Sequence, residues 1–338
     1  MNKLSINMIS ESEFTVQGHG VHTAYLELTN ALKQRDDVDI AVNTFRRRAD
    51  ITHVQTIGPY SLFQMLFNGG KKVISAHVVP ASFVGSIAGA KYWLGASRWY
   101  LKWLYGRADC VLAVSGSVAD ELKNSMHLKN RVETFYNTID MGQYAPSAEG
   151  KRSARSTLGI DEKTFVVIGN GQVQPRKRLD TFVAAARALP DVKFIWIGGI
   201  PFKHLGADYD AMMSIINSVP ANVTVTGVIP LADVRNYLLA GDVFFLPSDQ
   251  ENHPMCVLEA AGARLPIILR DIKEYDDTFR PDAMFIATDE QAIHAIASLR
   301  DDHSVYETWQ KHSDAIAGRF DSAAGAERAM NVYRSLLG

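Results

Sequence analysis

The chain has 338 residues, 47% apolar and 21% charged, an ordinary globular balance that excludes a disordered chain, a collagen and a coiled-coil rod. The net charge of 35 − 37 = −2 argues against a general nucleic-acid binder, and at about 150 residues per domain the length suggests two domains. Cys110 and Cys256 are too far apart for a disulfide framework or a CxxC metal pair, so a reducing cytoplasm is the expected compartment.

The charge is unevenly spread. Residues 1–160 carry 18 Lys/Arg against 13 Asp/Glu, and residues 161–338 carry 17 against 24. A basic half beside an acidic half suggests that one side faces an anionic surface. The start, MNKLSINMIS, lacks the apolar core and cleavage site of a signal peptide. The longest apolar stretch, Val78 to Ala90, is interrupted by Pro80 and Ser82 and stops at Lys91, so no membrane span is expected.

In chain order, LSINMIS, DIAVNTF, ITHVQTI, KKVISAHVV, CVLAVS and VETFYNTI read as strands, with helices over 21–35, 59–68, 85–106 and 116–127. The stretch 141–156 is polar, with Gly, Pro, Ser and basic residues, and reads as a linker. The pattern restarts with strands TFVVIGNG, VKFIWIGG, NVTVTGVI, DVFFLPS and LPIILRD and helices near 179–188, 208–217, 231–239 and 254–263. Alternation of this kind predicts two doubly wound α/β units, each with a mostly parallel sheet, and a ligand-binding cleft at the strand C-termini.

Three segments carry candidate chemistry. The loop Gln17-Gly18-His19-Gly20 follows the first strand and opens a helix. Its glycines would let a backbone approach a phosphate or sugar, though alone it is equally a tight turn. Gly169-Asn170-Gly171-Gln172-Val173-Gln174-Pro175-Arg176-Lys177-Arg178 joins a strand end, glycines and a basic triplet before a helix, which suits a diphosphate. The run Pro247-Ser248-Asp249-Gln250-Glu251-Asn252-His253-Pro254 places Glu251 in a loop after an apolar strand. Glu259 follows on the apolar side of the next helix, where ligand hydroxyls or backbone donors must satisfy it.

Glu251 and Glu259, separated by seven residues, resemble the E-x7-E signature of family 4 of the retaining, nucleotide-sugar-dependent glycosyltransferases, which have the GT-B fold. GNGQVQPRKRLD is similar to that family's phosphate-binding segment, with Lys177 at its lysine; VQGHG, SAHVV and YNTID resemble its first loop, a histidine-ending strand and its interdomain element. Gln172 stands where the family usually has arginine, so that charge is expected from Arg176, and His253-Pro254 reshapes the sugar-facing loop. The opening Gln-Gly-x-Gly-Val followed by Ala-Tyr-Leu-Glu resembles bacterial enzymes that extend diacylglycerol glycolipids.

The resemblance implies two Rossmann-like domains facing across a cleft. Residues 1–148 would bind the acceptor and face the membrane, residues 149–317 would bind the nucleotide sugar, and the helix 318–338 would pack back on the first domain. It implies transfer of glucose or galactose from a UDP-hexose to a glycolipid acceptor, with configuration retained by same-face displacement. Glu251 would bind the donor sugar and His77 lie near the transferring hexose. Arg176, Lys177, Gly18 and the backbone N–H groups of Met255, Cys256 and Val257 would hold the diphosphate, and Glu259 the ribose. No cofactor is expected: no DxD motif occupies a strand end, so the charge on the leaving group is met without a metal.

The segment Ile87–Arg107 sets Lys91, Arg98 and Lys102 on one helical stripe beside Tyr92, Trp99 and Trp103. Arg98, Lys102, Trp99 and Trp103 are candidates for an anionic membrane surface, with Arg46-Arg47-Arg48 as a second basic cluster; periodicity alone also fits a core helix with a solvated edge. The expected location is peripheral, on the inner face of the cell membrane. A soluble, polysaccharide or protein acceptor, and a sugar- or nucleotide-binding protein without catalysis, remain as alternatives.

Overall fold

The structure, a computed structural model, describes residues 3–15, 20–45, 48–84, 86, 89–200 and 208–338. The chain divides into two compact units. The first comprises residues 1–83, 91–140 and 320–338, and the second residues 84–90 and 141–319.

The first unit holds strands β1 (Leu4–Ile9), β2 (Val38–Val42), β3 (Ile51–Val54), β4 (Lys71–Ala76), β5 (Cys110–Ala113) and β6 (Arg131–Thr134) in the order β2-β1-β3-β4-β5-β6, all parallel. Helices α1 (Gly20–Lys33), α2 (Pro59–Phe67), α3 (Ala90–Tyr105) and α4 (Gly116–Asp120) connect them. Central strands β3 and β5 are buried along their whole length; β5 accordingly reads as a continuous apolar run, whereas β3 carries Thr52 and His53 into the interior. Side-chain alternation sends Ile6, Met8 and Val73 to one face, and Ile9, Val54 and Ile74 to the other. The second face is covered by Met65 of α2 and by Leu101, Leu104 and Tyr105 of α3.

The second unit begins with α5 (Met141–Tyr144) and α6 (Ala148–Thr157), where the sequence suggested a linker. The polar composition misled because α6 buries only Ala154 and Arg155. Ser147 caps α6, accepting from Gly150 N at 2.9 Å. Arg155 donates from Nε to Ala240 O at 3.0 Å and from a terminal nitrogen to Glu162 O at 2.7 Å, and pairs with Asp242 at 2.6 Å. A buried guanidinium, not an apolar stripe, holds this helix.

There follow β7 (Val166–Asn170), α7 (Leu179–Ala188), β8 (Lys193–Ile197), α8 (Tyr209–Asn217), β9 (Val223–Val225), α9 (Leu231–Ala240), β10 (Val243–Leu246), α10 (Met255–Gly262), β11 (Ile267–Arg270), β12 (Met284–Ile286), α11 (Asp289–Asp301) and α12 (His303–Arg319). The order β12-β11-β10-β7-β8-β9 is parallel throughout, the doubly wound arrangement that reverses direction between β7 and β10. Its core is aromatic: Phe182 lies 5.3, 5.1 and 5.9 Å from the rings of Phe194, Trp196 and Phe245.

The final helix, α13 (Ser322–Leu337), belongs to the first unit, where Ala326, Ala329, Met330 and Tyr333 join the core beneath β1 and β4. Ile139 N donates to Phe320 O at 2.9 Å and Ser322 N to Ile139 O at 3.0 Å, so both crossings between the units run side by side.

Arg155→Met keeps the bulk of the side chain but leaves Asp242 with Lys151 as its remaining cation. The expected cost is about 3 kcal/mol in chemical denaturation; a loss below about 0.5 kcal/mol, the range of ordinary surface changes, would show that Arg155 does not anchor α6.

Candidate active site

In a doubly wound sheet the loops leaving the two strands at the reversal diverge and open a crevice at their C-terminal ends. Here those loops are residues 171–174 after β7 and 247–254 after β10, which hold the basic triplet's approach and Glu251. They are joined by Asp249 N donating to Arg176 O at 2.8 Å, and by Arg176 donating to Gln250 O at 2.9 Å.

Charged side chains converge on this crevice. Lys177 Nζ and Glu251 Oε1 form a direct ion pair, both groups being buried, with Glu251 only 6% exposed. Arg176 adds a second cation 3.5 Å from the same oxygen, and its Nε donates to Ser86 Oγ at 2.8 Å. Burial pushes the Glu251 carboxyl upward, but Lys177 and then Arg176 outweigh it and hold the carboxyl below its ordinary value. An ammonium has three N–H donors, and this pair uses one of Lys177's. A side chain on Gly171 would come within 3.2 Å of Lys177 Cε, so a glycine lets the lysine lie along the loop. At Gly198, with φ +130°, an added Cβ would stand 2.2 Å from Gly171 O; only glycine packs there.

Outside this knot, Arg178 and Arg270 both pair with Asp249, at 3.3 and 2.9 Å. Glu259 is buried on α10 and accepts from Asn170 Nδ2 at 3.3 Å, so a side-chain amide at the end of β7 is one of its partners. α10 starts at Pro254 without a side-chain cap, which leaves the first-turn N–H groups of Met255 and Cys256 aimed along the helix axis; Val257 N turns back to Pro254 O at 3.2 Å. Burial pushes the Cys256 thiol up to about 12, so it remains a thiol and is no nucleophile. His253 stacks on Phe279 with ring centroids 5.3 Å apart. The structure therefore gathers Arg176, Lys177, Met255, Cys256, Val257, Glu251 and Glu259 within the second unit. Gly18 lies outside the described residues, as do Arg46 and Arg47.

His77 belongs to the first unit, just after β4, with Nε2 3.0 Å from Gln55 Oε1. On α3, Trp99 is 68% exposed and stacks on Trp103 at 6.4 Å. Trp103 is half-buried, and the Arg107 guanidinium lies 3.6 Å from the centre of its ring. Lys102 is exposed, whereas Arg98 is tied to the carbonyl of Ser125. The helix begins at Ala90 rather than 85 and departs from helical geometry at Trp93. It is both a core helix and an exposed aromatic and basic edge.

The helix expected over 59–68 is present as α2, but its burial is not the one an amphipathic helix would show. This helix has its polarity reversed: Ser61 and Gln64 are buried, while Pro59, Phe63, Leu66 and Phe67 face outward. Phe63 lies 4.7 Å from Phe67 and 6.3 Å from exposed Phe45, by ring centroids. Two signals were available in the sequence. None of the nine residues of α2 is charged, and Ile51 to Ala108 contains six Lys/Arg and not one Asp or Glu. Among the described residues no helix is long and apolar enough to cross a membrane.

Two family models match the chain, Glycosyltransferase Family 4 over residues 41–143 and Glycosyl transferases group 1 over residues 162–302. An alpha-galactosylglucosyldiacylglycerol synthase of Streptococcus pneumoniae is 34% identical over 278 residues, covering 81% of this chain and 74% of that protein. A processive diacylglycerol alpha-glucosyltransferase of Acholeplasma laidlawii is 29% identical over 61% of each chain. Among solved structures, Anabaena Alr3699/HepE in complex with UDP and glucose superposes with a TM-score of 0.78 at 17% identity, over 98% of this chain and all of that one. Sucrose-phosphate synthase from Thermosynechococcus elongatus gives 0.79 at 17% identity, over 98% of each chain. These last two establish the GT-B fold.

The ion pair makes a prediction of its own. Because the folded value of Glu251 lies below the ordinary 4.5, its contribution to stability is complete above that pH and is lost as pH falls through the folded value. Glu251→Gln is expected to be less stable than the parent by about 3 kcal/mol at neutral pH. In denaturant melts across pH, that gap should narrow as the medium is acidified below the carboxylate range. A gap independent of pH would show that Glu251 is not held as the anion.

Proposed function

The chain belongs to the glycosyltransferases of group 1 and family 4, and on that premise we propose that it moves glucose or galactose from a UDP-hexose to a membrane glycolipid. The acceptor we infer is a monohexosyl-diacylglycerol, extended to an alpha-linked dihexosyl product. The observation that carries the reading is the convergence of Arg176, Lys177, Glu251 and Glu259 on the reversal point of the second sheet, at strand ends where such sheets take nucleotides. The names of the two diacylglycerol-lipid relatives supply the acceptor class.

Breaking the bond to the sugar builds negative charge on the β-phosphate. Arg176, Lys177 and the N–H groups at the start of α10 stabilise that charge in a site largely shielded from water. The protein's own cations carry this load, so activity should persist in excess chelator. Glu259, close to Asn170, takes the two ribose hydroxyls. Glu251, fixed by its cations, accepts from hydroxyls of the donor hexose. His77 is assigned to the transferring hexose by resemblance alone. Only one carboxylate is assigned to the reacting centre, so retention by same-face displacement is preferred to a covalent intermediate, which needs a second one flanking the bond.

The first unit supports a membrane-bound acceptor. α2 and α3 cover the same face of its sheet and turn Phe63, Leu66, Phe67 and Trp99 outward. This apolar surface lies in a stretch of chain with basic residues and no acidic ones, the pattern of an interfacial, reversible contact with anionic lipid. We place the protein on the inner face of the cell membrane, peripherally bound.

The direct test is mass spectrometry of products from UDP-glucose and UDP-galactose with diacylglycerol and monohexosyl-diacylglycerol; no hexose transfer to either lipid would end the glycolipid reading. Glu259→Ala should weaken UDP-hexose binding by about 1.5–3 kcal/mol, roughly ten- to more than a hundredfold. Unchanged affinity in a folded variant would remove the ribose role. For the membrane, co-flotation with phosphatidylglycerol vesicles should be strong at low salt and weaker at high salt. Phe63→Ser with Phe67→Ser should lower it at every salt concentration and leave UDP binding intact; a parent protein that ignores such vesicles at low salt would refute peripheral binding.

A further inference from the structure

Within the first unit, the alternation of parallel strands builds a polar stripe inside an apolar layer. His53 and Gln55 are two residues apart at the end of β3, and Ser75 and His77 stand in the same relation at the end of β4. The register pairs Val54 with Ile74, so all four side chains fall on the face covered by α13. His53, Gln55, Ser75 and Tyr333 are all buried.

They form one chain of hydrogen bonds. Tyr333 Oη lies 2.7 Å from His53 Nδ1. His53 Nε2 is shared by Ser75 Oγ at 2.9 Å and Gln55 Nε2 at 3.0 Å. Gln55 Oε1 lies 3.0 Å from His77 Nε2. Burial, followed by the proximity of His77, pushes the His53 imidazole down to about 3, so it is neutral, with one N–H and one lone pair.

A neutral ring and an amide each have a fixed polarity, and together they give the chain a direction. The Gln55 amide N–H donates to His53 Nε2, which places the His53 proton on Nδ1, facing Tyr333. The Gln55 carbonyl then faces His77 and accepts only from an Nε2–H, which leaves the His77 lone pair on Nδ1. Turning the amide over would reverse every donor in the chain, so the two imidazoles cannot choose tautomers independently.

We propose that Gln55 is a positioning residue that fixes the ring orientation and tautomer of His77 and ties them to the buried His53–Tyr333 pair. This rests on the reading that His77 meets the transferring hexose. A residue with a merely structural role would require a hydrogen bond of either polarity; a positioning role requires this one.

The test uses the full chain with ring-15N histidine, read by two-bond 1H–15N spectra, alongside steady-state kinetics. The parent should show His77 as the single Nε2–H tautomer. Gln55→Leu should mix the tautomers and lower kcat about ten- to a hundredfold, with KM for UDP-hexose changed less than about twofold. Gln55→Glu still accepts from His77 Nε2–H and should recover most of that loss. Tyr333→Phe removes only a hydroxyl and serves if Gln55→Leu does not fold; loss of the far partner should move His77 toward the Nδ1–H form. Unchanged His77 tautomers in the folded variants would overturn the inference. If His77→Ala keeps the parent's kcat while the tautomer shifts appear, the role of His77 fails and the coupling stands.

Discussion

A carboxylate removed from water must be met by a cation or give up its charge, and the second unit is organised around that requirement at Glu251. Lys177 and Arg176 come from the loop after β7, and Glu251 from the loop after β10. Their attraction ties the two sides of the sheet's reversal point together, and the backbone bonds of Arg176 with Asp249 and Gln250 reinforce it. The same three groups are the ones we propose for the diphosphate and the sugar. Their orientation is therefore set by interactions within the protein, which is how electrostatic preorganisation is obtained.

The first unit uses the opposite device. It carries polar groups into its sheet, through His53, Gln55 and Ser75, and apolar groups out to its surface, through Phe63, Phe67 and Trp99. The inward polar groups are satisfied by one another and by Tyr333. The outward rings have no such compensation in water, and an interfacial environment would supply it. One sheet thus supports a specific hydrogen-bonded chain on one face and an unspecific apolar surface beyond the other.

The α/β architecture was legible because buried parallel strands read as unbroken apolar runs: VVIGN, KFIWI and VFFL are β7, β8 and β10. Glu251, Glu259 and the basic triplet were legible as a motif. The particular pairings were not, because nothing in spacing alone says that Lys177 meets Glu251 rather than Asp249. α6 was missed because a buried arginine, invisible to an apolar count, anchors it. β12 and the two helices after it were not read at all; a three-residue strand gives too short a run to register. α2 was read as a helix but not as an inverted one, since periodicity reports a stripe without saying which side of it faces the core.

The side-by-side crossings at Ile139 and Phe320 have a consequence for biosynthesis. The first unit is interrupted by the second, and its core needs Ala326, Ala329, Met330 and Tyr333. A growing chain presents residues 1–140 before residues 320–333, so one face of their sheet lacks α13 until the latter have emerged. The second unit has its sheet and covering helices by residue 319 and can close earlier. Until α13 emerges, the face beside His53 has α1 alone to cover it. The second unit thus has all of its own residues in hand while the first still lacks the helix that completes its core.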